Sequence, residues 1–278
     1  MLTLTRTLWY LKELGIRPRK TLGQNFLIDP NIVQKSLIMA ELRPQDVVVE
    51  VGSGLGTLTQ ELLAKVAEVY AVECDGRLCD HLQKTLEKEW GSRFHLLHED
   101  AVKFPIAQKP PCEEYKIVAN LPYAISTPWM DAVLSQEILP SRIVVLLQRE
   151  TTERFFAKVG TKSMGPIAIF LQSAYDLEEM HPVSRKCFFP EPAVDSVLLS
   201  MSRKEAPIFF LKEKKSMIRR LFTERRKQMK HLALKYLPPS IANAWLSFLC
   251  SHDSSDKIRS EEVPMELWQY FMADDPRL

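Results

Sequence analysis

Val47-Val48-Val49-Glu50-Val51 runs without a break into Gly52-Ser53-Gly54-Leu55-Gly56, and then into Thr57-Leu58-Thr59-Gln60-Glu61-Leu62-Leu63. Four valines around one acid suit a strand covered on both faces, as in a parallel sheet flanked by helices. The glycines mark a tight strand-to-helix turn, where positive φ is needed and a side chain would hold a ligand off the backbone. This pattern reads as the nucleotide-type cofactor loop of an α/β fold. Its spacing is GxGxG, whereas a dinucleotide fingerprint would want glycine where Thr57 stands, which disfavours NAD and FAD.

Outward from this loop, further short apolar runs predict strands at Val69 to Val72, Phe94 to Leu97, Ile117 to Ala119, Ile143 to Leu147 and Ser196 to Ser202. Helical patterning lies between them, at Asn31 to Ala40, Thr57 to Val66 and Arg77 to Lys88. The alternation predicts a parallel α/β sheet whose ligands bind at the carboxyl ends of the strands. After Pro207 the chain becomes charged and helical from Leu211 to Tyr236, then passes Pro238 and Pro239 into more helical pieces. We therefore expect two domains, 1–204 with the sheet and 205–278 all-helical.

With 278 residues, 46% hydrophobic and 26% charged, the chain is long enough for a sizeable core. Its formal net charge of +2 allows nucleic-acid binding only through local basic surface. The N-terminus lacks the apolar core of a signal peptide, and no stretch approaches a membrane span of about 20 residues, so a cytoplasmic protein without a membrane partner is expected. Cys74, Cys79, Cys112, Cys187 and Cys250 are scattered, and His95 and His98 have no companions at ligand spacing, so no metal site is expected. Nothing in the chain demands more than a monomer.

Two acids end successive strands after the glycine loop. Glu73 stands about 20 residues beyond it, where a carboxylate accepts hydrogen bonds from both hydroxyls of an unphosphorylated ribose. Asp100 is placed to accept from the exocyclic amine of a cofactor adenine. The fourth strand then ends in Asn120-Leu121-Pro122-Tyr123, which points to an amino group as acceptor. An adenine N6 amine is a poor nucleophile because its lone pair is delocalised, so a site must polarise it and hold it in line with a methyl sulfonium. The Asn120 side-chain oxygen and a neighbouring backbone carbonyl, that of Leu121, suit the two N–H groups. Pro122 stiffens the loop, and Tyr123 offers a flat face for a base taken out of its stack.

With these motifs in order, the chain resembles the family of ribosomal RNA adenine dimethyltransferases that modify two adjacent adenosines near the 3′ end of small-subunit rRNA. The resemblance covers nearly the whole length, adding Gly23-Gln24-Asn25-Phe26-Leu27 near the N-terminus and Phe188-Phe189-Pro190-Glu191-Pro192-Ala193-Val194-Asp195-Ser196 later. It implies a class I, Rossmann-like S-adenosylmethionine-dependent methyltransferase sheet of seven strands with a small C-terminal all-helical domain. It also implies that Asn25 and Leu27 contact the methionine end of S-adenosylmethionine, with Gly52 beneath it in the loop that includes Gly54. Glu73 would take the ribose, Asp100 the adenine amine, and Asn120 would join the cofactor and substrate sites. Phe188 resembles an aromatic residue that packs against the target base opposite Tyr123.

A partner in the assembling small ribosomal subunit is consistent with the basic residues. Arg219, Arg220, Arg225, Arg226, Lys227, Lys230 and Lys235 crowd one predicted helical stretch with few acids, and Arg17, Arg19 and Lys20 precede the cofactor element. Such contacts position RNA by its phosphates. Three other readings stay open: a large-subunit adenine-N6 methyltransferase of the macrolide-resistance type, an assembly factor with dispensable catalysis, and, remotely, a nicotinamide-dependent oxidoreductase. The chain departs from the family's usual pattern at Ala119, where glycine is frequent, and at Gln228-Met229.

Overall fold

The computed structural model describes residues 3–19, 22–107 and 114–271, so Lys20 and Cys112 lie outside the described residues. Its strands are β1 (Phe26–Leu27), β2 (Val47–Val51), β3 (Glu68–Glu73), β4 (Phe94–His98), β5 (Lys116–Asn120), β6 (Arg142–Gln148), β7 (Tyr175–Val183), β8 (Phe188–Phe189) and β9 (Ser196–Arg203). The helices that precede β7 are α1 (Leu4–Glu13), α2 (Pro30–Met39), α3 (Thr57–Leu63), α4 (Gly76–Leu82), α5 (Lys88–Trp90), α6 (Ser126–Val133), α7 (Arg149–Phe155) and α8 (Pro166–Ala174). Then come α9 (Lys212–Leu221), α10 (Met229–Tyr236) and α11 (Pro239–Ser251).

Seven strands form one sheet in the order β4-β3-β2-β5-β6-β9-β7. Strand β2 pairs in parallel with β3 and β5, β3 with β4, and β5 with β6. The expected parallel sheet needs one correction, because β9 runs antiparallel to β6, with Ser196 opposite Gln148 and Ser202 opposite Arg142. The segment 184–195 before β9 contains only a 3₁₀ turn and β8. It lacks the crossover helix that brings a chain back parallel.

Strand β7 was not foreseen. Its sequence, YDLEEMHPV, has no alternation, and residues 176–180 are all exposed. Charge and a proline are what an edge strand tolerates and a central one does not. The predicted helix at Arg77 to Lys88 begins as α4 and widens into a π turn at Gln83–Glu87, where the Thr85 hydroxyl donates to the His81 carbonyl, 2.8 Å away. Such side-chain bonding competes with the helical ladder.

The sheet is held by apolar packing. Val48, Val69, Val118, Val144 and Leu198 share one cluster with Leu62 and Leu63 of α3 and with Val33 and Leu37 of α2. Each such side chain contributes roughly 1.5–3 kcal/mol on burial. Glu50, 1% exposed in the middle of β2, is the exception among these neighbours.

By its own contacts the chain forms two compact units, Met1–Thr152 with Asp176–Arg203, and Glu153–Tyr175 with Lys204–Leu278. The first holds the sheet. The second is helical and includes residues 153–175, which the expected limit at 204 had assigned to the sheet domain. In that unit Phe170 packs against Phe210, their ring centroids 5.4 Å apart. Trp245 stacks near Trp268 at 5.6 Å. No helix among the described residues is long and apolar enough to cross a membrane.

Candidate active site

The ends of β2, β3 and β5, the loop after β4 and the arm before β1 enclose a cavity of about 320 Å³. That is the volume of a small-molecule site. Asn25, Leu27, Gly52, Gly54, Glu73, Asp100, Asn120 and Pro122 all line it. Residues separated by almost a hundred positions meet here because parallel strands deliver their carboxyl ends to one edge of the sheet.

Two glycines are set by close packing against Pro122. Gly52 has φ +73, and a Cβ there would stand 3.2 Å from Pro122 Cδ. Gly23 has φ +62, and a Cβ would meet Pro122 Cβ and the Tyr123 nitrogen, each at 3.3 Å. The proline is thus wedged between the glycine loop and the N-terminal arm, and both glycines adopt a conformation that L side chains rarely take.

Glu73 is 6% exposed. Its Oε1 accepts from the backbone N–H of Cys74 and of Asp75, at 2.8 and 2.9 Å, and its Oε2 accepts from Gly54 N–H at 2.9 Å. Burial pushes its carboxyl above the ordinary value, while these three bonds pull the other way. With one protein donor on Oε2, that oxygen keeps acceptor capacity. Asp100 is exposed at the cavity rim, its Oδ1 accepting from Val102 N–H at 2.8 Å. That bond sets its side chain in an Asx turn.

Asn120 Nδ2 donates to the Asn25 carbonyl at 2.9 Å. A carbonyl only accepts, so this contact fixes which end of the amide is nitrogen and sends Oδ1 the other way. In the loop that follows, the Pro122 carbonyl accepts from Ile125 N–H at 3.1 Å. Tyr123 is half-buried, and its hydroxyl lies 2.5 Å from Ser196 Oγ. Burial raises the phenol above its usual value, partly offset by Ser196, which keeps Tyr123 protonated near neutrality.

Three foreseen residues are not on the cavity wall. Leu121 is 1% exposed in the core, and Tyr123 stands beside the lining residues Pro122 and Ala124. Phe188 is 2% exposed, pairs with Leu27 across the β1–β8 ladder and belongs to the main apolar cluster. A base packed against it would need a ring face that this core covers.

Two lining residues were missed. Glu50 is buried with both its hydrogen bonds internal, Oε2 accepting from Ser53 Oγ at 2.9 Å and Thr59 Oγ1 at 2.6 Å. Burial raises its carboxyl to about 7. Its signal was visible in the sequence, since an acid amid valines is seldom buried without purpose. Gln24 spans from Arg19 N–H, which its Oε1 accepts at 2.9 Å, to Asp75 Oδ2, to which its Nε2 donates at 3.2 Å. It ties the arm to the end of β3, a pairing no local pattern announces.

Arg17 and Arg19 are exposed on that arm. In the helical unit, Arg220, Arg226 and Lys227 are exposed, while the Arg219 guanidinium sits 5.4 Å from the Phe170 ring centroid. Arg225 differs from these neighbours. It donates to the carbonyls of Lys162 at 2.6 Å and Met164 at 3.0 Å, and its Nε lies 3.9 Å from Glu261. Its guanidinium is committed to holding the unit together, which local charge counting could not reveal.

The chain matches the family described as ribosomal RNA adenine dimethylase over residues 15–263. It is 49% identical over 270 residues to a protein named ribosomal RNA small subunit methyltransferase A from Opitutus terrae, covering 96% of this chain and 97% of that one. In structure it is similar to a dimethyladenosine transferase from Plasmodium falciparum, with a TM-score of 0.72 and 24% identity over 89% of this chain and 99% of the other. It is also similar to the 23S rRNA methyltransferase ErmE, with a TM-score of 0.65 and 24% identity over 89% and 98%. The last two likenesses show the fold alone, a class I methyltransferase sheet.

Proposed function

The chain belongs to the ribosomal RNA adenine dimethylase family, and on that premise we propose that it methylates the N6 amines of two adjacent adenosines near the 3′ end of small-subunit rRNA, giving N6,N6-dimethyladenosine, with S-adenosylmethionine as methyl donor. The observation that carries this reading is the fixed amide of Asn120 at the cavity wall, its oxygen directed away from the Asn25 carbonyl. The extended similarity to a small-subunit enzyme favours that substrate over the large-subunit alternative.

The cavity fits the proposed donor. Glu73 is immobilised by three backbone N–H groups with an acceptor site to spare for a ribose, and Asp100 stands at the rim for the adenine amine. Asn25, Leu27, Gly52 and Gly54 would hold the methionine end, and the buried carboxyl of Glu50 would favour a positive group nearby. When bound, the donor supplies a methyl group on a cationic sulfur.

The acceptor side is the work of the loop at 120–123. Asn120 Oδ1 accepts one N–H of the target amine. The Pro122 carbonyl already accepts from Ile125 N–H at 3.1 Å and from Ser126 Oγ at 3.4 Å, which occupies both of its lone pairs, so the Leu121 carbonyl takes the other. Two acceptors draw the amine's lone pair out of conjugation and aim it. Tyr123, protonated and half-buried, offers its ring face to the flipped base and is no general base. Arg17 and Arg19 of the arm, with Arg219, Arg220, Arg226 and Lys227 of the helical unit, would contact phosphates and position the RNA, and the sequence adds Lys20, which lies outside the described residues.

Labelled methyl transfer to undermodified small subunits, with large subunits in parallel and the nucleoside identified by mass, tests the proposal. N6,N6-dimethyladenosine confined to small-subunit RNA is expected. Label confined to large subunits, or none despite tight cofactor binding, would overturn it.

A further inference from the structure

We propose that Ser196 is a positioning residue for the reaction, its hydroxyl locking the Tyr123 ring in the attitude in which a target base stacks on it. The inference rests on the reading of Asn120 to Tyr123 as the acceptor loop.

Ser196 is 0% exposed and is the first residue of β9, opposite Gln148 at the end of β6. Because β9 is antiparallel to β6, its beginning lies at the edge of the sheet where β5 and β6 end. That course brings a residue 73 positions downstream of Tyr123 to within 2.5 Å of its hydroxyl. Parallel pairing of the same strand would have put Ser196 at the opposite edge.

The acceptor loop needs such an anchor. Asn120 is tied to the Asn25 carbonyl, and Pro122 is wedged against Gly52 and Gly23. Tyr123 begins a 3₁₀ turn of three residues, too short to hold a ring by itself, and the residue is half-buried. Its hydroxyl is the far end of the side chain, so a bond there removes the torsional freedom that matters for stacking. The partner is rigid because Ser196 sits in a seven-stranded sheet. A buried serine hydroxyl left unpaired would be costly, so the pair is favoured from both sides. The bond also gives the segment 188–196 a role in the site that does not depend on exposure of Phe188.

The test uses the full chain, labelled methyl transfer to undermodified small subunits, and RNA carrying 2-aminopurine at a target adenosine. Ser196→Ala is expected to lower kcat about tenfold, the effect of one lost hydrogen bond on the barrier. The 2-aminopurine fluorescence change on binding should shrink with it, while calorimetric affinity for S-adenosylmethionine stays unchanged. Ser196→Thr, which restores the hydroxyl, should recover most of the rate. Tyr123→Phe should match Ser196→Ala, and the double variant should be no slower than either. Wild-type kcat in Ser196→Ala, or losses that multiply in the double variant, would overturn the proposal. A lower melting temperature and weaker cofactor binding at unchanged kcat would mark a merely structural serine and overturn it equally. If Ser196→Ala does not fold, Tyr123→Phe keeps the core volume and decides alone, an unchanged rate being the refuting result. Wild-type protein inactive on small subunits would instead bring down the functional reading, and this inference with it.

Discussion

The side-chain amide of Asn120 donates across 2.9 Å to the backbone carbonyl of Asn25, joining the end of β5 to the arm that leads into β1. The bond has a directional consequence, since it commits the nitrogen to the arm and turns the oxygen the other way, toward the place the proposed mechanism gives the substrate amine. Asn120→Ala removes the acceptor, and Asn120→Asp places a second acceptor against the Asn25 carbonyl. Both should lower kcat on the order of 10²-fold, the loss typical of a preorganised polar group, with cofactor affinity only modestly weakened. Methyl-transfer kinetics with calorimetry check this, and normal turnover in either variant would sink the mechanism.

Glu73 binds three backbone N–H groups, so its loss has two effects. Glu73→Ala takes the acceptor from all three donors, and the buried one of Asp75 costs about 1–3 kcal/mol when no water replaces the carboxylate. Both the melting temperature of the free protein and its affinity for S-adenosylmethionine should fall. Glu73→Gln, which keeps one acceptor oxygen, should fall between that variant and wild type on both measures. Unchanged affinity in Glu73→Ala would remove this residue from the cofactor site.

Glu50 predicts a pH signature. Burial raises its carboxyl from 4.5 to about 7, against the opposing bonds from Thr59 and Ser53. Between those values the folded protein keeps a proton that the unfolded chain has lost. Its contribution to stability therefore declines as pH rises through that window and stays lost above it, a change of roughly 3 kcal/mol. Glu50→Gln cannot ionise, so its melting temperature should gain on wild type between pH 5 and pH 8. A difference that does not grow over that range would contradict the assignment.

Arg225 and Arg226, adjacent in sequence, should behave differently. Arg226→Ala is expected to raise KM for RNA and reduce the salt dependence of binding by about one unit of slope, as for one phosphate contact. Arg225→Ala should leave the slope alone and lower the melting temperature, because the Lys162 and Met164 carbonyls lose their donor. Binding titrations across a salt series and thermal melts separate the two. Equal slope changes would return Arg225 to the RNA surface.

Most of the sheet was legible because a strand covered on both faces needs a run of apolar residues, and such runs stand out at β2, β3, β5, β6 and β9. Strand β7 escaped because an edge strand carries little apolar demand. Of the site, Gly52, Glu73, Asp100 and Asn120 were readable because each sits at or just after a strand's carboxyl end, and strand ends follow from local pattern.

By itself, then, the amino-acid sequence determined strands β2 to β6 and β9 in their order, the glycine-rich loop after β2 and the tetrapeptide that ends β5, since these depend on residues within a few positions of one another. Tertiary structure alone decided that β9 runs antiparallel, that Ser196 meets Tyr123, that Gln24 reaches Asp75 and that Arg225 turns inward. Those pairings join residues tens of positions apart. Which of the many possible partners is met depends on how whole elements pack, and no local spacing carries that information.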